Sequence, residues 1–212
     1  MEIVSPVVQH YTEKYTTPDH ALLEELARYT EEHHPHAHML SGHLQGKLLT
    51  LISHMVRPFR ILEVGTFTGY SALCLAEGLA EGGLLHTIEK RATDAAWAKR
   101  YFDRSENGKK IQLHIGDASE IIGELDETWD LAFIDADKEN YIHYFNLIFP
   151  KLRPNGFILA DNVLFHGQVL EAEIKGKNAR SIQAFNDFVF SRNDVEKLMI
   201  PIRDGLYLIR KK

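Results

Sequence analysis

Apolar positions along the chain fall into two rhythms. From Arg60 onward, short runs rich in Ile, Leu, Val and Phe at 60–64, 84–88, 111–115, 131–134 and 157–160 alternate with longer stretches at 71–79, 93–103, 119–125 and 141–149. In the short runs the apolar residues are consecutive, as in strands covered on both faces. In the longer stretches they recur every three or four positions, as in helices with one buried face. Strand and helix in alternation predict a parallel sheet flanked by helices. The end of the chain departs from this rhythm. A helix over 179–190 is followed by apolar runs at 195–200 and 206–209, with Asp204-Gly205 between them as a hairpin signal, so an antiparallel pair closes the sheet. The first 57 residues read as a helical extension with amphipathic stretches near 19–29 and 44–55, and 58–212 as the α/β core of one domain.

Composition narrows the function classes. The 212 residues carry 24 Lys+Arg against 30 Asp+Glu, a net charge of −6, with 44% hydrophobic and 25% charged residues. These proportions are those of a soluble globular protein. The net negative charge argues against nucleic acid as a partner, which needs basic residues gathered on one face, and Arg210-Lys211-Lys212 is too short a basic run to change that. The single cysteine, Cys74, can form no internal disulfide and reads as a buried small hydrophobe. No stretch has the length of a membrane span and the first residues lack a signal-peptide pattern, so no membrane partner and a cytoplasmic location are expected.

Ile61-Leu62-Glu63-Val64-Gly65-Thr66-Phe67-Thr68-Gly69-Tyr70-Ser71 runs from a strand through a glycine-bearing turn into a helix. Gly65 and Gly69 suit a turn that lets backbone approach a ligand at the carboxyl edge of a sheet. An ordinary tight turn has the same pattern. Phe67 stands where the dinucleotide fingerprint requires its second glycine, which disfavours a pyrophosphate and with it a nicotinamide-dependent dehydrogenase. Glu63 suits an ammonium or sulfonium, and Glu89, closing the second strand, suits the two hydroxyls of a ribose. The set Glu63, Gly65, Gly69 and Glu89 therefore favours a nucleoside cofactor carrying positive charge.

A second group is rich in oxygen. The fourth strand runs into Asp135-Ala136-Asp137-Lys138 and the fifth into Asp161-Asn162, so Asp135, Asp161 and Asn162 converge if both strands carry ligands at their carboxyl edge. Two carboxylates and an amide make a hard, incomplete ligand set suited to Mg²⁺. Each acid taken singly is equally at home as a helix cap or strand-end turn.

The segment from Glu63 to Ser71, including Tyr70, resembles the first motif of class I S-adenosylmethionine (SAM)-dependent methyltransferases, and more narrowly that of the catechol and caffeoyl-coenzyme A O-methyltransferase family. The resemblance implies a seven-stranded, mostly parallel Rossmann-like sheet with a reversed last strand, and covers about residues 39–208. It places Glu63-x-Gly65 at the amino-acid end of SAM, Glu89 at the ribose and Gly116-Asp117-Ala118 at the adenine. Met39-Leu40-Ser41-Gly42, followed by Gln45-Gly46, closes over the methionine part. It gives Asp135, Asp161 and Asn162 to a divalent cation, Asp135 also bordering the cofactor, and sets Lys138 beside the reacting hydroxyl. A bound cation would acidify a catechol hydroxyl, and Lys138, its own pKa depressed toward neutrality by that cation and by burial, would take the proton. The substrate implied is a small aromatic with vicinal hydroxyls. Many relatives are homodimers, and a homodimer is the expected assembly.

Residues 163–168 are expected to wall the acceptor, and Arg180 and Asn186 match the family context while fitting equally a helix surface and a cap. Among the twelve histidines, His33, His34, His36, His38 and His43 form a dense run that reads as a solvated loop or mobile lid rather than a metal tract. Trp97 and Trp129 read as packing residues. A non-catalytic SAM-binding sensor is the rival outside enzymes, and retention of Lys138 with all three oxygen ligands counts against it.

Overall fold

The computed structural model describes residues 3–212. Three helices open the chain: α1 (Pro6–Lys14), α2 (Ala21–His33) and α3 (His43–Val56). The core then runs β1 (Arg60–Val64), α4 (Tyr70–Ala76), β2 (Leu84–Glu89), α5 (Ala92–Phe102), β3 (Ile111–Ile115), α6 (Ala118–Glu124), β4 (Trp129–Ile134), α7 (Tyr141–Ile148), β5 (Leu152–Asp161), α8 (Lys177–Ser191), β6 (Val195–Ile200) and β7 (Leu206–Lys211). The strands form one sheet in the order β3-β2-β1-β4-β5-β7-β6. β7 runs antiparallel to both neighbours and the remaining pairs are parallel, as the sequence pattern and the resemblance implied.

The centre of the sheet is buried on both faces because its strands are mostly apolar. β4 is buried along its whole length, with Trp129, Leu131, Phe133 and Ile134 at 0% exposure. On one face Ile61, Leu85, Leu131 and Phe133 pack with α3 and α4; on the other Leu62, Ala132, Ile134 and Ile158 pack with α7 and α8. Lysines satisfy carbonyls that loops and helix ends leave without partners. Lys151 Nζ donates to the carbonyls of Ile122, Gly123 and Leu125 after α6, and Lys197 Nζ to those of Val189, Phe190 and Arg192 after α8.

Two elements differ from the sequence expectation. β5 begins at Leu152, not at 157, because Arg153-Pro154-Asn155-Gly156 is a bulge within the strand and not a loop before it. Trp129 pairs with Leu152 and Leu131 already with Phe157, and Asn155 adopts φ 61° inside the irregularity. α1 was invisible to periodicity because none of its residues is buried, although Ser5 caps it and Pro6 opens it. Among the described residues no helix is long and apolar enough to cross a membrane.

The strand order reverses direction between β1 and β4, so the loops leaving these neighbours diverge and open a crevice at the carboxyl edge. The turn after β1, the end of β2 and the segments after β4 and β5 all border it.

Candidate active site

Gly65 is fixed by backbone crowding at this crevice. Asp135 N–H donates to Val64 O at 2.9 Å, which brings the two loops together. A Cβ on Gly65 (φ 101°) would fall inside the Asp135 carbonyl oxygen. Gly69 (φ 93°) starts α4 in the left-handed region and lies against the ring of Phe102. Between them Phe67 is also left-handed (φ 50°), its N–H held by Glu89 Oε2 at 2.8 Å. The N-terminal extension braces this turn. Thr30 Oγ1 donates to Thr68 Oγ1, and the His34 ring sits edge-on to Phe67 at 4.6 Å.

A cavity of about 590 Å³ opens above the crevice. Met39, Ser41, Gly65, Tyr70, Ser71, Glu89, Asp117, Ala118, Asp135, Lys138, Asp161 and Asn162 line it, so twelve positions chosen from the sequence come together at one site. Glu63 and Gly69 do not line it. Gly69 is turned into the α4–α5 packing, whereas Glu63 lies beneath the floor at 0% exposure. Thr87 Oγ1 donates to Glu63 Oε2 at 2.5 Å, while Oε1 has no hydrogen-bond partner. Burial pushes the Glu63 carboxyl up to about 8, against the opposing hydrogen bond of Thr87. A buried acid with an unpaired oxygen under a ligand cavity is matched to a cationic group.

Glu89 uses both oxygens on backbone, Oε2 on Phe67 N–H and Oε1 on Arg91 N–H at 2.9 Å, which orients its carboxylate toward the cavity. Asp117 is the N-cap of α6, accepting from Ser119 N–H at 3.0 Å, as well as a cavity residue. Lys90 beside it holds its carboxyl below the usual range.

At the opposite wall, Lys138 Nζ donates to Asp135 Oδ1 at 2.9 Å and to Tyr141 Oη at 2.7 Å. Asp161 is 3% exposed and its Oδ1 has no hydrogen-bond partner. Burial, then the charge of Asp135, push the Asp161 carboxyl up, and Lys138 only partly offsets them. Asn162 is left-handed at φ 57°, a conformation asparagine tolerates better than most residues, and its carbonyl accepts Phe165 N–H. Two close carboxylates, one with a free buried oxygen, beside an amide are donors a hard divalent cation would satisfy. At Lys138 burial lowers the pKa, but Tyr141, Asp135 and Asp161 outweigh burial and hold the ammonium above the ordinary lysine value. Among the protein's own groups, burial alone thus supplies part of the downward shift expected from the sequence, and the rest would fall to a bound cation.

Residues 163–167 do border the cavity, through Phe165 and His166. Asn186 Nδ2 donates to Val163 O at 2.8 Å and so holds this wall, while Arg180 is an exposed helix residue. Asp204 takes His166 N–H, and Arg203 Nη1 donates to the Ser41 carbonyl, tying the β6–β7 turn to the segment over the cofactor region. Arg203, Asp204, Tyr141 and the Phe67–His34 contact escaped the sequence reading; Lys138-x-x-Tyr141 was the one visible signal, an i, i+3 spacing that puts both side chains together.

Among the described residues no group of three or more His, Cys, Asp or Glu is placed to hold an ion. The histidine run is not simply solvated. His34 is buried, with Nε2 3.2 Å from Asp94 Oδ1, and His43 pairs with Asp19 at 3.2 Å. Cys74 and Trp129 are buried in the core as expected, and Trp97 is half-buried against Tyr29 and His34.

Residues 12–212 match the O-methyltransferase family. A Dictyostelium discoideum protein named probable caffeoyl-CoA O-methyltransferase 1 is 31% identical over 89% of this chain and 84% of its own length. A mouse protein named catechol O-methyltransferase domain-containing protein 1 is 33% identical over 79% of this chain, which spans 66% of that longer relative. The O-methyltransferase TomG of Streptomyces achromogenes, solved in complex with SAM, superposes with a TM-score of 0.87 at 28% identity, over 97% of this chain and 96% of that one. On the strength of a match along nearly its whole length, and of a sheet and site arranged as that resemblance implied, the chain belongs to the O-methyltransferase family, among the catechol and caffeoyl-CoA type.

Proposed function

We propose that this methyltransferase, acting as a single domain and as a homodimer, moves a methyl group from SAM to one hydroxyl of a small vicinal-diol aromatic with the help of a divalent cation, most simply Mg²⁺. The oxygen of the acceptor forms a bond to the methyl carbon as the sulfur–methyl bond breaks, its electron pair returning to sulfur. The observation that carries the metal and acceptor is the unpaired, buried Asp161 Oδ1 beside Asp135 and Lys138, at the cavity that Glu89 and the glycine turn border.

In this reading Glu63 faces the ammonium of the methionine part from below, Gly65, Ser71 and Tyr70 border it, and Met39 and Ser41 cover it. Glu89 takes the ribose hydroxyls, and Asp117 and Ala118 border the adenine. Asp135, Asp161 and Asn162 would hold the ion, which when bound would acidify the acceptor hydroxyl. With a cation on Asp135 and Asp161 offsetting the charges that hold its proton, Lys138 would give that proton to solvent and take the hydroxyl proton at Nζ. The residues 163–167 wall and the Ser41 segment hold both reactants in register, where most of the rate enhancement originates. The catechol and caffeoyl-CoA names of the relatives support the acceptor class, and the SAM complex of TomG supports the methyl donor.

The test is methyl transfer from labelled SAM to a panel of catechols, caffeate and caffeoyl-coenzyme A, in Mg²⁺ and then in excess chelator. Product that disappears with chelator and returns with Mg²⁺ supports the proposal. Product indifferent to chelator removes the metal from it, and tight SAM binding with no product on any acceptor favours the sensing alternative.

A further inference from the structure

In the form that can take a proton, a lysine amine has two N–H donors and one lone pair, and Lys138 has committed both donors. One goes to Asp135 Oδ1 at 2.9 Å and one to Tyr141 Oη at 2.7 Å. The Tyr141 hydroxyl gives its own proton to the backbone carbonyl of Asp161 at 3.1 Å, so its lone pairs are what face the lysine. Tyr141 itself cannot swing. It opens α7, is 0% exposed, and its ring stands edge-on to Phe185 with centroids 5.4 Å apart.

We infer that Tyr141 is a positioning residue that aims the lone pair of the neutral Lys138 amine, the direction its two hydrogen bonds leave open, at the acceptor oxygen. The inference rests on the reading of Lys138 as the proton acceptor. Asp135 is shared with the oxygen set across the cavity, so the bond from Tyr141 is the partner of Lys138 that does not depend on that set. By also holding Asp161 through its backbone, Tyr141 makes the lysine and the end of β5 one rigid unit. The distance between the base and the groups gathering the acceptor oxygens is then fixed by covalent structure and two hydrogen bonds.

The experiment compares wild type with Tyr141→Phe, Lys138→Ala and the double variant, in steady-state kinetics on whichever catechol gives product. Phe keeps the ring against Phe185, and the SAM dissociation constant certifies a folded site. Tyr141→Phe is expected to lower kcat by roughly 10–50-fold through lost orientation, with the KM of the acceptor and the SAM affinity changed less than about twofold. The double variant is expected to be no slower than Lys138→Ala, because a residue acting through another adds nothing once that other is gone. A merely structural role would instead multiply the two losses. Multiplying losses, or a kcat for Tyr141→Phe within about twofold of wild type while Lys138→Ala is slow, overturns the inference alone. A wild-type rate for Lys138→Ala overturns the reading of Lys138 itself.

Discussion

Replacing Glu63 by Gln isolates what the buried acid beneath the cavity does. Its carboxyl stands at about 8 against an ordinary 4.5, the shift coming from burial. The folded state therefore holds this proton more tightly than the unfolded chain does. Stability is full at low pH and is lost as pH rises from the unfolded value through the folded one. A gap of that size corresponds to roughly 4–5 kcal/mol above pH 8, of which about 3–4 kcal/mol is lost between about pH 5 and pH 8. Gln has the same shape, accepts from Thr87 Oγ1 and never ionises. Its amide leaves one buried donor unpaired, a constant cost of about 1–3 kcal/mol that does not depend on pH. Urea unfolding of ligand-free wild type and Glu63→Gln, repeated from pH 5 to 9, should give curves that diverge: wild type loses more stability with rising pH than the variant, by the share that Glu63 contributes. The same group should release close to one proton at about pH 7 when an ammonium binds above it, read by calorimetry of SAM binding in buffers of different ionisation enthalpy. The variant should release none and bind SAM more weakly. Parallel stability profiles, or equal proton release, would refute the assignment of an elevated, cation-seeking carboxyl.

Three further outcomes follow from the packing. Gly65→Ala drives a Cβ into the Asp135 carbonyl at a φ of 101°, and should cost roughly 2–4 kcal/mol in denaturant unfolding and lower SAM affinity with it. The stacked His86 and His114 rings on β2 and β3 both have pKa values lowered, by burial first and, for His86, by the facing His114. The unfolded chain then binds more protons, so stability should fall as pH drops below about 6.5, and His114→Gln should flatten that loss in thermal melts. Arg203→Ala frees the Ser41 carbonyl and should weaken SAM binding about tenfold, the ~1.4 kcal/mol of a charge-assisted hydrogen bond, with kcat at saturating SAM little changed.

The central strands were legible because they are buried on both faces, so the mostly apolar runs at 61–64 and 131–134 leave little choice of structure. The antiparallel finish was legible from Asp204-Gly205. Residues 153–156 were not, since Pro-Asn-Gly has the composition of a turn and only its neighbours make it a strand bulge. α1 buries nothing, so it leaves no apolar rhythm to read. At the site, residues tied to backbone geometry were readable: glycines where chains touch, acids at strand ends. What escaped depends on long-range contact. Arg203 reaches Ser41 from 162 positions away, and His34 reaches Asp94 from 60. Glu63 was chosen for its charge, but nothing local says that its oxygens lie under the floor and not in the cavity.

The most direct test of the central claim is the initial rate of methyl transfer as Mg²⁺ is titrated into chelator-stripped protein at saturating SAM and catechol, for wild type and Asp161→Ala. Wild type should rise from near zero to a plateau. Asp161→Ala, lacking a buried carboxylate oxygen that has no hydrogen-bond partner among the described residues, should stay roughly 100-fold or more below it while still binding SAM. A wild-type rate already at its plateau in chelator, or an Asp161→Ala curve that overlays wild type, would contradict the metal-assisted account of this site.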